Sequence, residues 1–131
     1  IDVVDDTYNA NPDSVQAAIA VLAELPAPRL LVLGDMGEVG DQGPAFHAEV
    51  GASAKAAGIE SLMVIGDLMQ HATAAYGAGA QHFDEMATLI AAVQARMGQI
   101  GSVLVKGSRS MKMEQVVQAL ECTCGEGAAC C

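Results

Sequence analysis

Three short stretches concentrate the side chains with which this chain could do chemistry. The first is "DDTYNANP", which follows an apolar run and carries Asp5, Asp6, Tyr8, Asn9 and Asn11. Adjacent carboxylates raise each other's cost of ionisation unless a cation or ligand relieves them. At a strand end they can accept hydrogen bonds from a ribose or hold a hydrated Mg²⁺, and asparagine both donates and accepts. The second stretch, "LGDMGEVGDQGP", places glycine at every third position (Gly34, Gly37, Gly40, Gly43) among Asp35, Glu38 and Asp41. It is not the G-x-G-x-x-G dinucleotide fingerprint. Three acids repel a phosphate, so the loop suits an ammonium group or a metal better. The third, "VKGSRSMKME", holds Lys106, Ser108, Arg109 and Lys112. Three of the chain's six basic residues thus fall within seven positions. With the N–H groups of a following helix start they could hold a carboxylate or a phosphate.

Each stretch also has a plainer reading. Asn11 is a good helix N-cap ahead of Pro12 at the first helical position. The glycine segment could be a surface loop, and Lys106 or Arg109 could form ion pairs with Asp5 and Asp6. Taken together, an acidic and a basic loop on one sheet edge suit a zwitterion, with the acids drawing its amino end and the basic groups its carboxylate.

The elements that must position these residues alternate along the chain. "IDVVD" reads as a short strand, and a helix follows from Asn11 and Pro12 through "SVQAAIAVLAEL", stopping before "PAPR". "LLVLG" is a continuous apolar run of the kind found in strands buried on both faces. Pro44 marks the helix "PAFHAEVGASAKAAG", which ends near Gly58. "SLMVIG", "AQHF" and "SVLVKG" read as strands, and "DLMQHATAAYG", "DEMATLIAAVQARMG" (with Asp84 as cap) and "SMKMEQVVQALE" as helices. Such alternation predicts an α/β fold: a Rossmann-like, doubly wound, mostly parallel sheet of five to six strands with helices on both faces. In such sheets ligands bind beyond the carboxyl ends of the strands, near the switch in strand order. All three stretches lie at such ends.

Composition narrows the classes. The 131 residues fit one domain with an aliphatic core, since 52% are hydrophobic and only 3% aromatic. A net charge of −10 disfavours binding to nucleic acid or to an anionic membrane. No apolar run approaches the roughly 18–20 residues of a membrane helix. The acidic, strand-like start lacks the pattern of a signal peptide, and a start at Ile1 without methionine reads as a piece of a longer protein. All four cysteines (Cys122, Cys124, Cys130, Cys131) lie in the last ten residues, in a spacing that matches no standard zinc pattern. Residues 122–131 therefore read as a flexible, oxidisable tail on a domain of residues 1–121, and a cytoplasmic location is the simpler expectation. His47, just inside the helix after the glycine loop, could face the site. His71 and His82 receive no role. Met63, Met86, Met97, Met111 and Met113 read as core filler.

In order and spacing, "DDTYNANPDS", "VLGDMGEVG…H" and "VLVKGSRSMKME" resemble the C-terminal domain of the Mur ligases, over nearly the whole chain to about Glu121. The resemblance implies a three-domain enzyme that joins D-Ala-D-Ala to UDP-MurNAc-tripeptide. ATP and Mg²⁺ would be held mainly by a central domain with a P-loop, and an acyl phosphate would form on the way. It implies that the C-terminal domain positions substrates and closes the site, and is inactive without the N-terminal and central domains. By the same resemblance, Asp6, Tyr8, Asn9 and Asn11 would face the nucleotide, and Asp35 and Glu38, with His47 nearby, would line the acceptor side. Lys106, Ser108 and Arg109 would meet the dipeptide carboxylate or the developing charge, with no metal ligand in this chain. The chain has no G-x-x-x-x-G-K-[ST]. Two other readings stand beside this one. A signalling receiver domain would use the paired acids, Lys106 and a phospho-acceptor Asp67, but in this chain Gly107 follows the lysine where a receiver usually has proline. A stand-alone doubly wound small-molecule binding module is the other.

Overall fold

The computed structural model describes residues 2–6, 12–36, 40–107 and 111–124. Five strands, β1 (Asp2–Asp6), β2 (Arg29–Gly34), β3 (Ser61–Ile65), β4 (Ala80–Phe83) and β5 (Ser102–Lys106), alternate with α1 (Pro12–Ala23), α2 (Gly43–Ala56), α3 (Gln70–Tyr76) and α4 (Met86–Arg96), and α5 (Glu114–Cys124) closes the series. The strands form one sheet in the order β1-β5-β2-β3-β4, and every pairing is parallel. The aliphatic runs "LLVLG", "SLMVI" and "SVLVK" are buried along their length, as central strands covered on both faces must be. β4, at one edge, is only partly covered.

The order of the strands dictates which face each helix covers. A β-α-β crossover is right-handed in nearly all proteins. From β1 through β2 and β3 to β4 the chain moves across the sheet in one direction, so α1, α2 and α3 share a face. Val15, Ile19 and Leu22 of α1, Val50 of α2 and Ala72 of α3 pack there against Leu31, Leu33, Val64 and Leu104. The step from β4 back to β5 reverses direction, so α4 and α5 cover the other face. Leu89, Val93, Val116 and Leu120 meet Val32, Met63, Val103 and Val105 there. Alternation along β5 sends Val103 and Val105 one way and Leu104 the other, which is the period of a strand.

This topology decides where a ligand can sit. β5 lies between β1 and β2, and the helix that follows it leaves on the face opposite α1 and α2. The helices after β1 and β2 thus lie on the face opposite the helix after β5, which puts the switch point, where open α/β sheets bind ligands, at the carboxyl ends of these strands. The same order argues against a receiver domain, in which the first strand is central and the order is 2-1-3-4-5. Here β1 is an edge strand, and three strand spacings, about 14 Å, separate it from β3 and the following Asp67.

Several boundaries differ from the sequence expectation. Asp84 is not the cap of α4: the N-cap position is Glu85, in an extended conformation without a side-chain hydrogen bond. Asp84 instead stands exposed, 3.8 Å from His82 Nδ1. α3 starts at Gln70 rather than Asp67, because residues 66–71 are wound in tight three-residue turns. α5 starts at Glu114 rather than Ser110, after Lys112 with a positive φ of 55°. It continues to Cys124, so the backbone at Cys122 and Cys124 is helical. Cys130 and Cys131 lie outside the described residues. Met63 and Met113 are buried, and Met86, Met97 and Met111 pack against the same core.

Candidate functional site

The three chemistry-bearing stretches leave from three neighbouring strands. In register, Asp6 of β1 pairs with Lys106 of β5, and Lys106 with Leu33 of β2. The acids of the first stretch, the base of the third and the start of the glycine loop thus lie level at one end of the sheet. Asp6 is the last residue of β1 rather than the first after it. Tyr8, Asn9, Asn11, Glu38, Ser108 and Arg109 lie outside the described residues. The helix for which Asn11 was read as N-cap does begin at Pro12.

Lys106 is only 2% exposed. A buried ammonium needs a partner, and Lys106 has an interaction within the protein. Alternation with Leu104 puts it on the α1 side of the sheet.

Asp35 follows β2 directly, and its carboxylate spans to the next loop. Oδ1 accepts from the Met69 N–H at 3.0 Å and Oδ2 from the Leu68 N–H at 3.3 Å. These N–H groups belong to the tight turns that lead into α3: Asp35 shares the Met69 N–H with the Gly66 carbonyl and takes the Leu68 N–H, 33 positions downstream. Gly66 makes this possible. Its φ of +115° is outside the range of ordinary residues, and a Cβ there would overlap the Asp35 carboxylate. Among the described residues no cation pairs with Asp35. Within the described residues it is held by two backbone N–H groups.

His47 is wholly buried. Its Nε2 lies 3.0 Å from the Met36 N–H, and its Nδ1 lies 2.6 Å from the Gly43 carbonyl. An N–H can only donate and a carbonyl can only accept. The ring is therefore neutral, with its proton on Nδ1 and its Nε2 lone pair turned to Met36. Both nitrogens are engaged by backbone, so in this structure His47 holds the glycine loop and offers no atom to a ligand. His82, assigned no role from sequence, reaches the Gly66 carbonyl with Nε2 at 2.7 Å and ties β4 to the same loop.

A second close approach shapes the same end of the sheet. Gly34 and Gly107, at the ends of β2 and β5, lie under the entry to α5. A Cβ on Gly107 would stand 2.5 Å from Met113 Cγ, and one on Gly34 would stand 2.9 Å from Met113 Sδ. The two glycines let Met113 seal the sheet end on the α5 side.

The opposite, amino end of the sheet is held differently. The Arg29 guanidinium meets Glu60 through Nε at 3.0 Å and Nη2 at 3.2 Å, and also donates to the carbonyls of Ala23 and Gly58. The hydrogen bond from Arg29 is the main cause holding the Glu60 carboxyl below its ordinary range. Ser102 Oγ donates to the Pro26 carbonyl at 2.8 Å, and Arg96 donates to Ser61 Oγ at 2.9 Å.

Among the described residues, no three His, Cys, Asp or Glu side chains come together in a way that could hold a metal ion. No helix among them is long and apolar enough to cross a membrane.

Fold and site together define an open parallel α/β domain with charged residues gathered at its switch point. The chain belongs to the Mur ligase family: the family model described as "Mur ligase, glutamate ligase domain" matches residues 1–109 and so spans all three stretches through Arg109. It is 45% identical over 121 residues to the UDP-N-acetylmuramoyl-tripeptide–D-alanyl-D-alanine ligase of Escherichia coli K12, a match that covers 91% of this chain and 26% of that protein. Among solved structures, MurF from Acinetobacter baumannii superposes with a TM-score of 0.76 at 28% identity, over 85% of this chain and 25% of that one. MurF from Thermotoga maritima in complex with ADP shares the fold, with a TM-score of 0.76 at 24% identity, over 91% of this chain and 27% of that one. The chain spans about a quarter of the length of the curated relatives it matches.

Proposed function

We propose that this chain is the C-terminal domain of an ATP-dependent ligase that joins D-Ala-D-Ala to UDP-MurNAc-tripeptide during peptidoglycan-precursor synthesis. The observation that carries this reading is the 45% identity to the Escherichia coli ligase, sustained over 121 residues. In the complete enzyme the tripeptide carboxylate takes the γ-phosphoryl group of ATP, giving an acyl phosphate and ADP. The dipeptide amine then adds to the acyl carbon and loses a proton. The tetrahedral adduct expels phosphate and leaves the amide.

This chain contributes one wall of that site. On this reading the central domain grips ATP, and this chain, which carries no G-x-x-x-x-G-K-[ST], supplies no P-loop. On the same reading Mg²⁺ would be held mainly by the central domain with the nucleotide phosphates. Asp6, Tyr8, Asn9 and Asn11 meet the nucleotide side. Asp35 and Glu38 give the acceptor side a negative field for the dipeptide ammonium, with His47 behind their loop. Lys106, Ser108 and Arg109 take the dipeptide carboxylate and the charge that develops during transfer. The domain works by positioning and closure, and alone it is inactive. A cytoplasmic location, where nucleotide-linked precursors and ATP meet, belongs to the same proposal.

The test uses the full-length protein and follows ADP release. Release should require both UDP-MurNAc-tripeptide and D-Ala-D-Ala, and none with both present would refute the reaction. Asp6→Ala, Asp35→Ala and Arg109→Ala should each lower kcat/KM by on the order of 10²-fold. Wild-type rates in all three would refute the site.

A further inference from the structure

We infer that His47 is a positioning residue: as the neutral Nδ1–H tautomer it clasps the two ends of the acidic glycine loop and so presents that loop to the ammonium group of the incoming dipeptide. The acceptor role of the loop rests on the ligase reading above. The clasp itself rests on geometry alone.

The loop leaves β2 at Asp35 and Met36 and returns at Gly43, the first residue of α2. His47 sits one helical turn further on, so its Nδ1–H reaches the Gly43 carbonyl four residues back, while Nε2 reaches across to Met36, eleven residues back. One rigid ring thereby joins the first and last residues of the loop. The peptide on the other side is also fixed, because the Asp35 carboxylate is held by Leu68 and Met69. The interior between these anchors contains Glu38 and the exposed Asp41. Ordering a loop of this length costs entropy with every residue. A loop already closed at both ends has less left to lose when a ligand binds.

The two bonds are not equivalent. The Gly43 bond is local to the start of α2, and only the Met36 bond crosses the loop. Asparagine can imitate Nδ1 and keep the local bond, but it cannot reach Met36. Glutamine places an acceptor oxygen near the position of Nε2 and can keep the crossing bond. A residue serving only as helix filler would make no such distinction.

The experiment compares His47→Asn and His47→Gln in the full-length protein, with two readouts. Hydrogen–deuterium exchange of the peptide containing the Met36 amide reports the clasp without reference to activity. Steady-state kinetics report its use. We expect His47→Asn to lose protection at Met36 and to raise the KM for D-Ala-D-Ala about tenfold, with kcat within about twofold of wild type. His47→Gln should restore both. Unchanged exchange in His47→Asn overturns the clasp. Lost protection with an unchanged KM overturns its role in presenting the loop. If the unmutated protein shows no dipeptide-dependent turnover, the ligase reading fails instead, and exchange alone decides on the clasp.

Discussion

At the amino ends of the strands Arg29 meets Glu60, and a positive and a negative group cancel within one hydrogen-bonded fork. At the carboxyl ends, among the described residues, Asp35 accepts from the N–H groups of Leu68 and Met69 and pairs with no cation. Both arrangements order a loop. Only the second keeps an electric field that a ligand can feel, because backbone dipoles solvate a charge without neutralising it. On the proposed reading the two ends of the sheet divide the work, structural at the amino ends and ligand-facing at the carboxyl ends, where open α/β sheets generally bind ligands.

The comparison breaks most readily at Gly66. Gly66→Ala forces a side chain into a φ of +115° and onto the Asp35 carboxylate. Backbone strain and overlap together should cost about 3 kcal/mol, measured by urea unfolding. A loss below about 1 kcal/mol would mean that Asp35 moves aside freely and that the carboxyl-end scaffold is not fixed.

A smaller effect sharpens the other side. The Glu60 carboxyl is held below its ordinary value of 4.5, chiefly by the hydrogen bond from Arg29. A depressed folded-state value means that the unfolded chain binds the proton more tightly. The stabilisation is then complete above the ordinary range and disappears as pH falls through the folded value. Glu60→Gln should lower Tm modestly at neutral pH, since Glu60 is partly exposed and the pair is screened. The gap to wild type should close as the pH is lowered to roughly 2. A gap of constant size over that range would contradict the ion pair as its source.

Much of this was legible in the residues, and the limits are instructive. Strands β2, β3 and β5 were marked by apolar runs bounded by glycine or polar residues, and the α/β alternation followed from them. The chemistry-bearing loops were found because acids and bases clustered at strand ends. What could not be read was long-range. The start of α3 was misplaced because Asp35, 33 residues upstream, serves the turn before it. His47 was read as a residue that could face the site, yet a helix position alone gave no sign that both its nitrogens would be taken by backbone. Asp84 was assigned a cap on residue type alone, and Glu85 occupies that position. The signal for the Asp35 contact was present in Gly66, a glycine directly after a strand, but the sequence did not name its partner.

The most direct test sets the two ends of the sheet against each other in the full-length protein, with Arg109→Ala at the carboxyl end and Arg29→Ala at the amino end, scored by Tm and by D-Ala-D-Ala-dependent ADP release. We predict that Arg109→Ala lowers kcat/KM by on the order of 10²-fold with Tm unchanged, while Arg29→Ala lowers Tm and leaves kcat/KM at low temperature near wild type. Equal losses of activity in both variants, or wild-type activity in Arg109→Ala, would contradict the division of the domain into a structural end and a functional end.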